Sequence, residues 1–255
     1  MNSTKNSAMQ TCKAFLDKLG IWAILVLLFL FLSVTTGDTF LTASNLINLI
    51  RQICVTGVCA IGAAIVVCGG ELDLSSGSLA ALAGCASAML AVNFGWPTWL
   101  AFVAAIAGGA CIDALIGCVI AFLRVPAFIA TLGMMYVLDG FTLLMTRGTP
   151  ITNLPDSYKF VGRGYIGPIP FIVVILLILV AVFAFIFKYT QFGRNIVSVG
   201  ENATAAHLSG INVRLIKIAS FACAGILSSL AGIMLMARLG SGQPTAASDL
   251  CLTAM

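Results

Sequence analysis

The chain contains several continuous apolar runs of about 20 residues, the length that an α-helix needs to cross a lipid bilayer. Apolar and polar residues do not alternate within these runs, as they would in the strands of a membrane β-barrel. Hydrophobic residues make up 60% of the 255 residues and charged residues 9%, against roughly 25% charged in a typical soluble domain. These features predict an all-α polytopic transmembrane helical bundle. We place seven spans, at 19–36, 46–68, 77–94, 97–123, 127–146, 169–187 and 214–237.

The distribution of lysine and arginine predicts the orientation of these spans, because cytoplasmic loops carry an excess of both residues. Assigning the loops to alternate sides predicts a cytoplasmic N-terminal segment, residues 1–18, followed by a transmembrane domain, residues 19–255. The net charge of +4 reflects this asymmetry and does not indicate nucleic-acid binding. The inner set is Lys5, Lys13, Lys18, Arg124, Lys188, Arg194, Arg214 and Lys217, and the smaller outer set is Arg51, Arg147, Lys159, Arg163 and Arg238.

The sequence lacks the motifs of the common catalytic and cofactor sites. It contains no Gly-Lys-Ser/Thr phosphate loop and no GxSxG nucleophile motif. A GxGxxG pattern at 162–167 lies between two predicted spans and is followed by prolines, which fits a loop turn and not a dinucleotide fold. The nine cysteines form no CxxC pair and His207 is the single histidine. We therefore expect no disulfide framework, metal site, cofactor or catalytic residue on this chain.

A polar, cationic segment, residues 188–213, separates the last two apolar runs. Asn202 is a typical N-cap and is followed by helix-favouring alanines, Gly210 is a typical helix stop, and Asn212 can cap the next helix. The pattern predicts a short helix kept in water, and such an element in a membrane protein suits docking to a partner.

The segment CGGELDLSSGS, residues 68–78, joins the second and third predicted spans. Its glycines can end one helix, and Asp73 and Ser75 can cap the next. This pattern fits a tight turn between helices. It also fits a broken helix at the edge of a transport pathway, where Glu71 and Asp73 would accept hydrogen bonds from hydroxyl groups or bind cations.

A second connecting segment, residues 147–168, lies between the fifth and sixth predicted spans, on the predicted outer side. It is rich in Gly, Pro and Asn and carries three cations, so we expect it to be exposed and rich in turns. It could contact a soluble partner or the solute, or it could be only a solvated connector.

Two acidic residues fall inside predicted spans, Asp113 in the fourth and Asp139 in the fifth. An acid at the centre of a bilayer costs roughly 2.5–3.5 kcal/mol on insertion scales, so each should face protein or water and not lipid. Both could line a polar pathway. A hydrogen bond between helices or a protonated acid explains them equally well, and the sequence leaves these interpretations open.

Small residues recur every four positions in the seventh span, at Ala224, Ser228 and Gly232. Such a stripe lets two helix backbones approach closely, because no large side chain separates them. We therefore expect this span to pack tightly against its neighbours.

Several stretches together resemble one family. GGELDLSSGS at 69–78 resembles the GGxDLSxGS signature of the membrane permease subunits of ribose-type sugar importers, in the ATP-binding cassette superfamily. VPAFIATLG at 125–133 is similar to that family's PPFIxTLG segment, and GTPI at 148–151 with Leu154-Pro155 is similar to its GxPIxxLP loop. The resemblance covers most of residues 20–250 and includes further stretches in the same order, at 192–194, 205–206, 208–213 and 240–245.

The resemblance implies a division of labour between chains. In this family two permease subunits, identical or sister chains, form the pathway in the bacterial inner membrane. Cytoplasmic ATPase subunits bind ATP and Mg, and a periplasmic sugar-binding protein delivers the solute. The chain would then be a permease subunit for a monosaccharide such as ribose, xylose or galactose, with ATP hydrolysis on a separate chain.

The resemblance also assigns roles to particular residues. Residues 188–213 match the coupling loop, and 202–212 match the element that fits into the ATPase surface. The alanines allow close helix approach, Gly210 lets the chain turn back, and the arginines can pair with acidic partner residues. The expected coupling residues are Arg194, Glu201, Asn202, Ala205, Ala206, His207, Gly210 and Arg214, and the expected pathway residues are Glu71, Asp73, Ser75, Asp113 and Asp139.

The chain departs from the family pattern in three places. Asp113 stands where the family usually has a small residue, and Asp139 stands where it often has arginine. Related permeases also continue beyond 240–245 with a glycine-rich segment and further helices, so we expect a C-terminally incomplete permease domain. Two other functions therefore stay open: an ion-coupled secondary transporter with an acidic relay, and a truncated membrane scaffold that binds partners without transport.

Overall fold

A computed structural model of the protein describes residue 20, residues 24–36 and residues 39–254, so the predicted cytoplasmic segment 1–18 lies outside the described residues. The chain forms two compact units, Met1–Leu49 and Ile50–Met255. Its described helices are α1 Ile24–Thr35, α2 Ala43–Cys68, α3 Ser76–Val92, α4 Thr98–Leu123, α5 Ala127–Thr146, α6 Asp156–Arg163, α7 Phe171–Tyr189, α8 Gln191–Glu201, α9 Ala203–Leu208, α10 Val213–Leu239 and α11 Leu250–Ala254. Two short strands, β1 Tyr165–Ile166 and β2 Ile169–Pro170, form an antiparallel hairpin.

The structure confirms the all-α helical bundle. Five of the described helices, α2, α4, α5, α7 and α10, are long and apolar enough to cross a membrane. The predicted spans 19–36 and 77–94 correspond to the shorter apolar helices α1 and α3. For the first of these spans, part of the predicted range lies outside the described residues. The helix α3 ends at Val92 because Gly95, at φ +66°, turns the chain before Pro97 starts α4.

The helix α10 forms the centre of the second unit, packed between α3 and α4. A Cβ atom built on Gly225 would lie 2.6 Å from the carbonyl oxygen of Gly109 in α4, and one on Gly232 would overlap the backbone of Ala80 in α3. Ala224 and Ser228 are buried on the same stripe. The predicted small-residue packing of this helix is therefore confirmed, and contact between backbones replaces side-chain interdigitation there.

The segment 147–168 is more regular than its composition predicted, because it contains α6 and the first strand of the hairpin. Tyr158 anchors α6 to the bundle: its hydroxyl lies 2.7 Å from that of Ser87 in α3, and its ring packs edge-on against Phe102 of α4, with 4.8 Å between centroids. The loop turn predicted at 162–167 is confirmed only in part: Gly162 and Arg163 end α6, β1 follows, and the turn itself begins at Gly167, at φ +58°.

Candidate coupling site

The coupling segment, residues 188–213, folds as two short helices, α8 and α9, and not as a loop with one helix. The hydroxyl of Thr190 caps α8 by accepting the Gly193 N–H at 3.2 Å. Gly193, Ile196 and Val199 are buried at helical spacing, while Arg194 and Glu201 are exposed on the opposite side. The helix α8 is therefore amphipathic and lies against the core with its charged face outward.

The predicted helix signals of α9 are confirmed. The side-chain oxygen of Asn202 accepts hydrogen bonds from the N–H groups of Thr204 and Ala205, both at 3.0 Å, which caps the helix. Gly210 turns the chain at φ +85°, a conformation that other residues rarely adopt. Asn212 then caps α10 by accepting the Leu215 N–H at 3.2 Å.

The expected coupling residues of α9 divide between two faces. Ala206 is only 5% exposed and belongs to the core cluster, so it holds α9 in place and does not face outward. Ala205 and His207 are exposed. Leu208, which the sequence reasoning missed, is 83% exposed although it is apolar. The sequence contains no signal for this residue, because a single exposed apolar residue is common on protein surfaces.

The end of α8 touches the 68–78 segment, backbone against backbone. Gly70 adopts φ +79°, and a Cβ built on it would lie 3.1 Å from the Cα of Gly200. A Cβ built on Gly200 would in turn overlap the carbonyl oxygen of Cys68 and lie 3.0 Å from the nitrogen of Gly70. Since no side chain separates the two segments, a displacement of α8 moves the 68–78 segment directly.

An ion pair joins the same segment to the start of α10. Nζ of Lys217 donates to Oε1 of Glu71, and the side chains are 22% and 17% exposed, respectively. The two residues are 146 positions apart in sequence. The 68–78 segment is therefore held at two points, by α8 within the coupling segment and by α10 directly after it.

A cavity of about 1120 Å³ opens beside this ion pair. His207, Gly210 and Arg214 of the expected coupling residues line it together with Glu71, and Arg214 stacks on the ring of Phe122 at 5.4 Å from the centroid. Arg124 and Lys217 add two further cations. The lining residues of the cavity thus include three cations and one acidic residue, Glu71.

The other expected pathway residues do not line this cavity. Asp73 is 1% exposed, and its Oδ1 accepts the N–H of Ser75 at 2.8 Å and the hydroxyl of Ser75 at 2.5 Å. This is the tight turn predicted as one of the two alternatives for the segment. Burial raises the pKa of the Asp73 carboxyl, and the hydrogen bonds from Ser75 oppose that shift.

Of the two acids of the spans, Asp113 lies close enough to Asp73 for their charges to interact, but no hydrogen bond joins it to that turn. Asp113 is 0% exposed, and neither of its carboxyl oxygens has a hydrogen-bond partner among the described residues. It packs against α10, where a Cβ built on Gly225 would lie 3.1 Å from Oδ2 of Asp113. Asp139, on α5, is half-buried. The structure therefore shows no hydrogen bond between described helices for Asp113, and it does not bring Asp139 to the cavity.

Comparison with known proteins connects this site to a family. The family described as branched-chain amino acid transport system / permease component matches residues 45–254, which is most of the chain and includes the whole coupling segment. The chain belongs to this permease family.

Three relatives of the permease illustrate the match. Ribose import permease protein RbsC of Escherichia coli (strain K12) is 40% identical over 225 residues, covering 87% of this chain and 70% of that protein. RbsC of Bacillus subtilis (strain 168) is 36% identical over 242 residues, covering 94% and 74%. Xylose transport system permease protein XylH of Haemophilus influenzae is 30% identical over 286 residues, covering 88% and 76%. No solved structure matches the permease significantly.

The geometry of the permease suits the transmission of movement more than chemistry. Exposed side chains of α8 and α9 form a surface, which we call the docking face and define as Arg194, Glu201, Ala205, His207 and Leu208. Behind this face, two contacts reach the 68–78 segment, the glycine contact from α8 and the Glu71–Lys217 ion pair from α10. A partner that moved α8 and α9 would therefore move the start of α3 as well.

Proposed function

We propose that the chain is the transmembrane permease subunit of an ATP-binding cassette importer for a monosaccharide, and that the docking face is where a separate ATPase drives it. The relatives named for ribose import and xylose transport support the substrate class. The observation that carries the coupling role is the backbone contact between Gly200 and Gly70. It connects an exposed two-helix element to the segment from which a membrane helix begins.

The remaining partners follow from this role. ATP and Mg bind to the cytoplasmic ATPase, a soluble sugar-binding protein delivers the solute on the opposite side, and a second permease subunit, identical or a sister chain, completes the pathway. The permease lies in the bacterial inner membrane with its N-terminus and the coupling segment cytoplasmic. The cationic residues of the cavity wall favour contact with acidic residues of the ATPase.

The mechanism begins at Leu208. Docking covers this exposed leucine, which removes apolar surface from water and fixes α9 to the ATPase. When ATP binding moves the ATPase, α9 and α8 move as one unit because Asn202 caps α9 directly at the end of α8. The glycine contact and the Glu71–Lys217 ion pair then carry the movement to the 68–78 segment and α3.

Transport by the assembled importer tests the proposal. The permease is reconstituted in vesicles with a candidate ATPase and sugar-binding protein from the same genome, and uptake of labelled ribose, xylose and galactose is measured. We expect uptake that requires ATP on the coupling side and survives collapse of the proton gradient. Uptake that continues without ATP and stops with the gradient would instead establish the ion-coupled alternative. Partner binding without any flux would establish the scaffold.

The docking face is tested with Leu208→Asp. We expect this variant to reach the membrane and remain folded, because Leu208 makes no buried contact in the free chain, but to lose at least about tenfold of its ATPase affinity and ATP-driven uptake. Phe94→Asp is the matched control, since Phe94 is 65% exposed in the turn between α3 and α4. Equal uptake by the two variants would contradict the assignment of the docking face.

A further inference from the structure

Three arginines meet at the end of α10 that lies away from the coupling segment. Arg163, the last residue of α6, donates from Nε to the carbonyl oxygen of Arg238 at 2.8 Å and from Nη2 to that of Leu239 at 2.7 Å. It thereby satisfies the final carbonyls of α10, which have no partner inside the helix. Nε and Nη2 of Arg163 therefore hold α6 on α10.

The third arginine comes from α2. Nη2 of Arg51 donates to the carbonyl oxygen of Arg163 at 2.9 Å, and its guanidinium stacks on the ring of Tyr165 at 5.1 Å from the centroid. We call Arg51, Arg163 and Arg238 the arginine cluster. All of its hydrogen bonds within the described chain go to backbone carbonyls.

The charges of the arginine cluster are not balanced by the described chain. Its bonded carbonyls belong to the ends of α6 and α10, and each helix end supplies roughly half a negative charge. Three guanidiniums therefore retain about two positive charges. The ion pairs of the described residues, Lys159–Asp156 and Lys217–Glu71, involve none of the three. In addition, Nε of Arg51 and Nε of Arg238 are buried and have no described hydrogen-bond partner.

The surroundings of the arginine cluster are those of a membrane surface. The neighbouring hairpin exposes Tyr165, Ile166 and Ile169 side by side. The next helix, α7, is apolar from Phe171 as far as Lys188 in its last turn, and Ile172 is its one buried residue. An exposed tyrosine beside the start of a membrane-spanning helix suits the level of the lipid headgroups, where tyrosine is enriched. An anionic lipid bound at the cluster would place its acyl chains against these exposed apolar side chains.

We propose that the arginine cluster binds the phosphate of an anionic phospholipid. The planar guanidinium donors of arginine match phosphate oxygens in geometry and in charge. Arg163 positions the site, Arg51 and Arg238 offer the unpartnered donors, and the hairpin and α7 accept the acyl chains. The site is independent of the transport function, because it uses neither the coupling segment nor the cavity.

The test uses the purified permease in nanodiscs of phosphatidylcholine with and without phosphatidylglycerol. We expect phosphatidylglycerol to raise the thermal unfolding midpoint and to co-purify from mixed lipid. The double variant Arg51→Gln/Arg238→Gln should bind it about tenfold or more weakly, since charged hydrogen bonds are lost. Arg147→Gln is the matched control, because Arg147 is exposed at the end of α5 and its side chain makes no hydrogen bond among the described residues.

Each other outcome contradicts the lipid assignment. Equal unfolding midpoints of the unmodified permease in the two nanodiscs, or an undiminished lipid effect in the double variant, would remove the site. Stabilisation by inorganic phosphate alone, matching that of phosphatidylglycerol, would make it a site for a soluble anion. Loss of binding-protein docking in the double variant with lipid binding intact would assign the cluster to a protein carboxylate. This comparison requires that the double variant unfold in phosphatidylcholine at the same temperature as the unmodified chain. If the double variant is less stable there, the single variant Arg238→Lys replaces it in the test.

Discussion

Cations lie beside both ends of α10, but among the described residues only one end provides a carboxylate that pairs with them. Near its start Lys217 meets Glu71, so the charge is neutralised by the chain itself. At its other end, roughly 30 Å further along the helix, Arg238 lies with two further arginines that bond only to carbonyls among the described residues. Both sites contain cations half-buried beside a long helix. Only one of them contains its own anion.

The contacts near the start of α10 form what we call the joint, the Gly70–Gly200 backbone contact together with the Glu71–Lys217 ion pair. The arginine cluster, in contrast, is a site that is open to an external ligand. The Glu71–Lys217 pair connects two segments of one chain, so a movement of one reaches the other. The arginine cluster holds α2, α6 and α10 together through their backbones and retains positive charge for something outside. A cation that is paired with a carboxylate of the same chain therefore indicates an internal contact. Cations that bond only to backbone carbonyls keep charge that an external anion can neutralise.

The largest effect is expected at the glycine contact of the joint. Gly200→Ala should lower the free energy of unfolding by about 1–3 kcal/mol, because its Cβ overlaps the carbonyl of Cys68 and forces the segments apart. ATP-driven uptake should fall with it. Gly140→Ala is the control, since no atom lies within 4 Å of its new Cβ and alanine favours the helix by about 0.5–1 kcal/mol. Thermal unfolding and vesicle uptake measure both, and equal stability of the two variants would contradict the contact.

The Glu71–Lys217 ion pair should show a smaller effect. The effect of changing either residue should depend on whether the other one is still present. In a double-mutant cycle with Glu71→Gln and Lys217→Gln, we expect a coupling energy of about 1–2 kcal/mol, because both side chains are largely buried. The exposed pair Lys159–Asp156 should give about 0–1 kcal/mol in the same cycle. The exchange Glu71→Lys/Lys217→Glu should recover part of the uptake that either single charge reversal loses. No recovery would mean that the residues act separately.

Local features of this arrangement could be predicted from the sequence. The apolar runs predicted the long helices, since a helix that is buried in a bundle or spans a membrane needs a continuous apolar surface. The side-chain and conformational preferences of Asn202, Gly210 and Asn212 predicted the limits of α9 and the start of α10, and each is confirmed. The charge pattern also grouped Arg51, Arg163 and Arg238 on one side, and the structure brings them together.

Long-range contacts could not be predicted in this way. The ion pair joins residues 146 positions apart, and Arg163 bonds to α10 across 75 positions. One sequence contains no periodicity that relates such positions. Burial of Ala206 beside exposed Ala205 was also missed, because both are small and equally helix-favouring, and only the packing of α9 distinguishes them.

The smallest effect is expected at Asp73, the buried acid of the 68–78 segment, which has no cationic partner among the described residues. Its amide analogue Asp73→Asn keeps an oxygen for the hydrogen bonds from Ser75, so it should fold nearly as well, whereas Asp73→Ala should lose about 1 kcal/mol. Because burial raises the pKa of the Asp73 carboxyl, its protonated form is favoured in the folded state. The wild-type chain should therefore match Asp73→Asn below the pKa of a free aspartate and become less stable than it as the pH rises through the raised pKa. Unfolding midpoints of both chains across that range measure the difference, and a gap that widens toward low pH would show instead that the native carboxylate is stabilised as an anion.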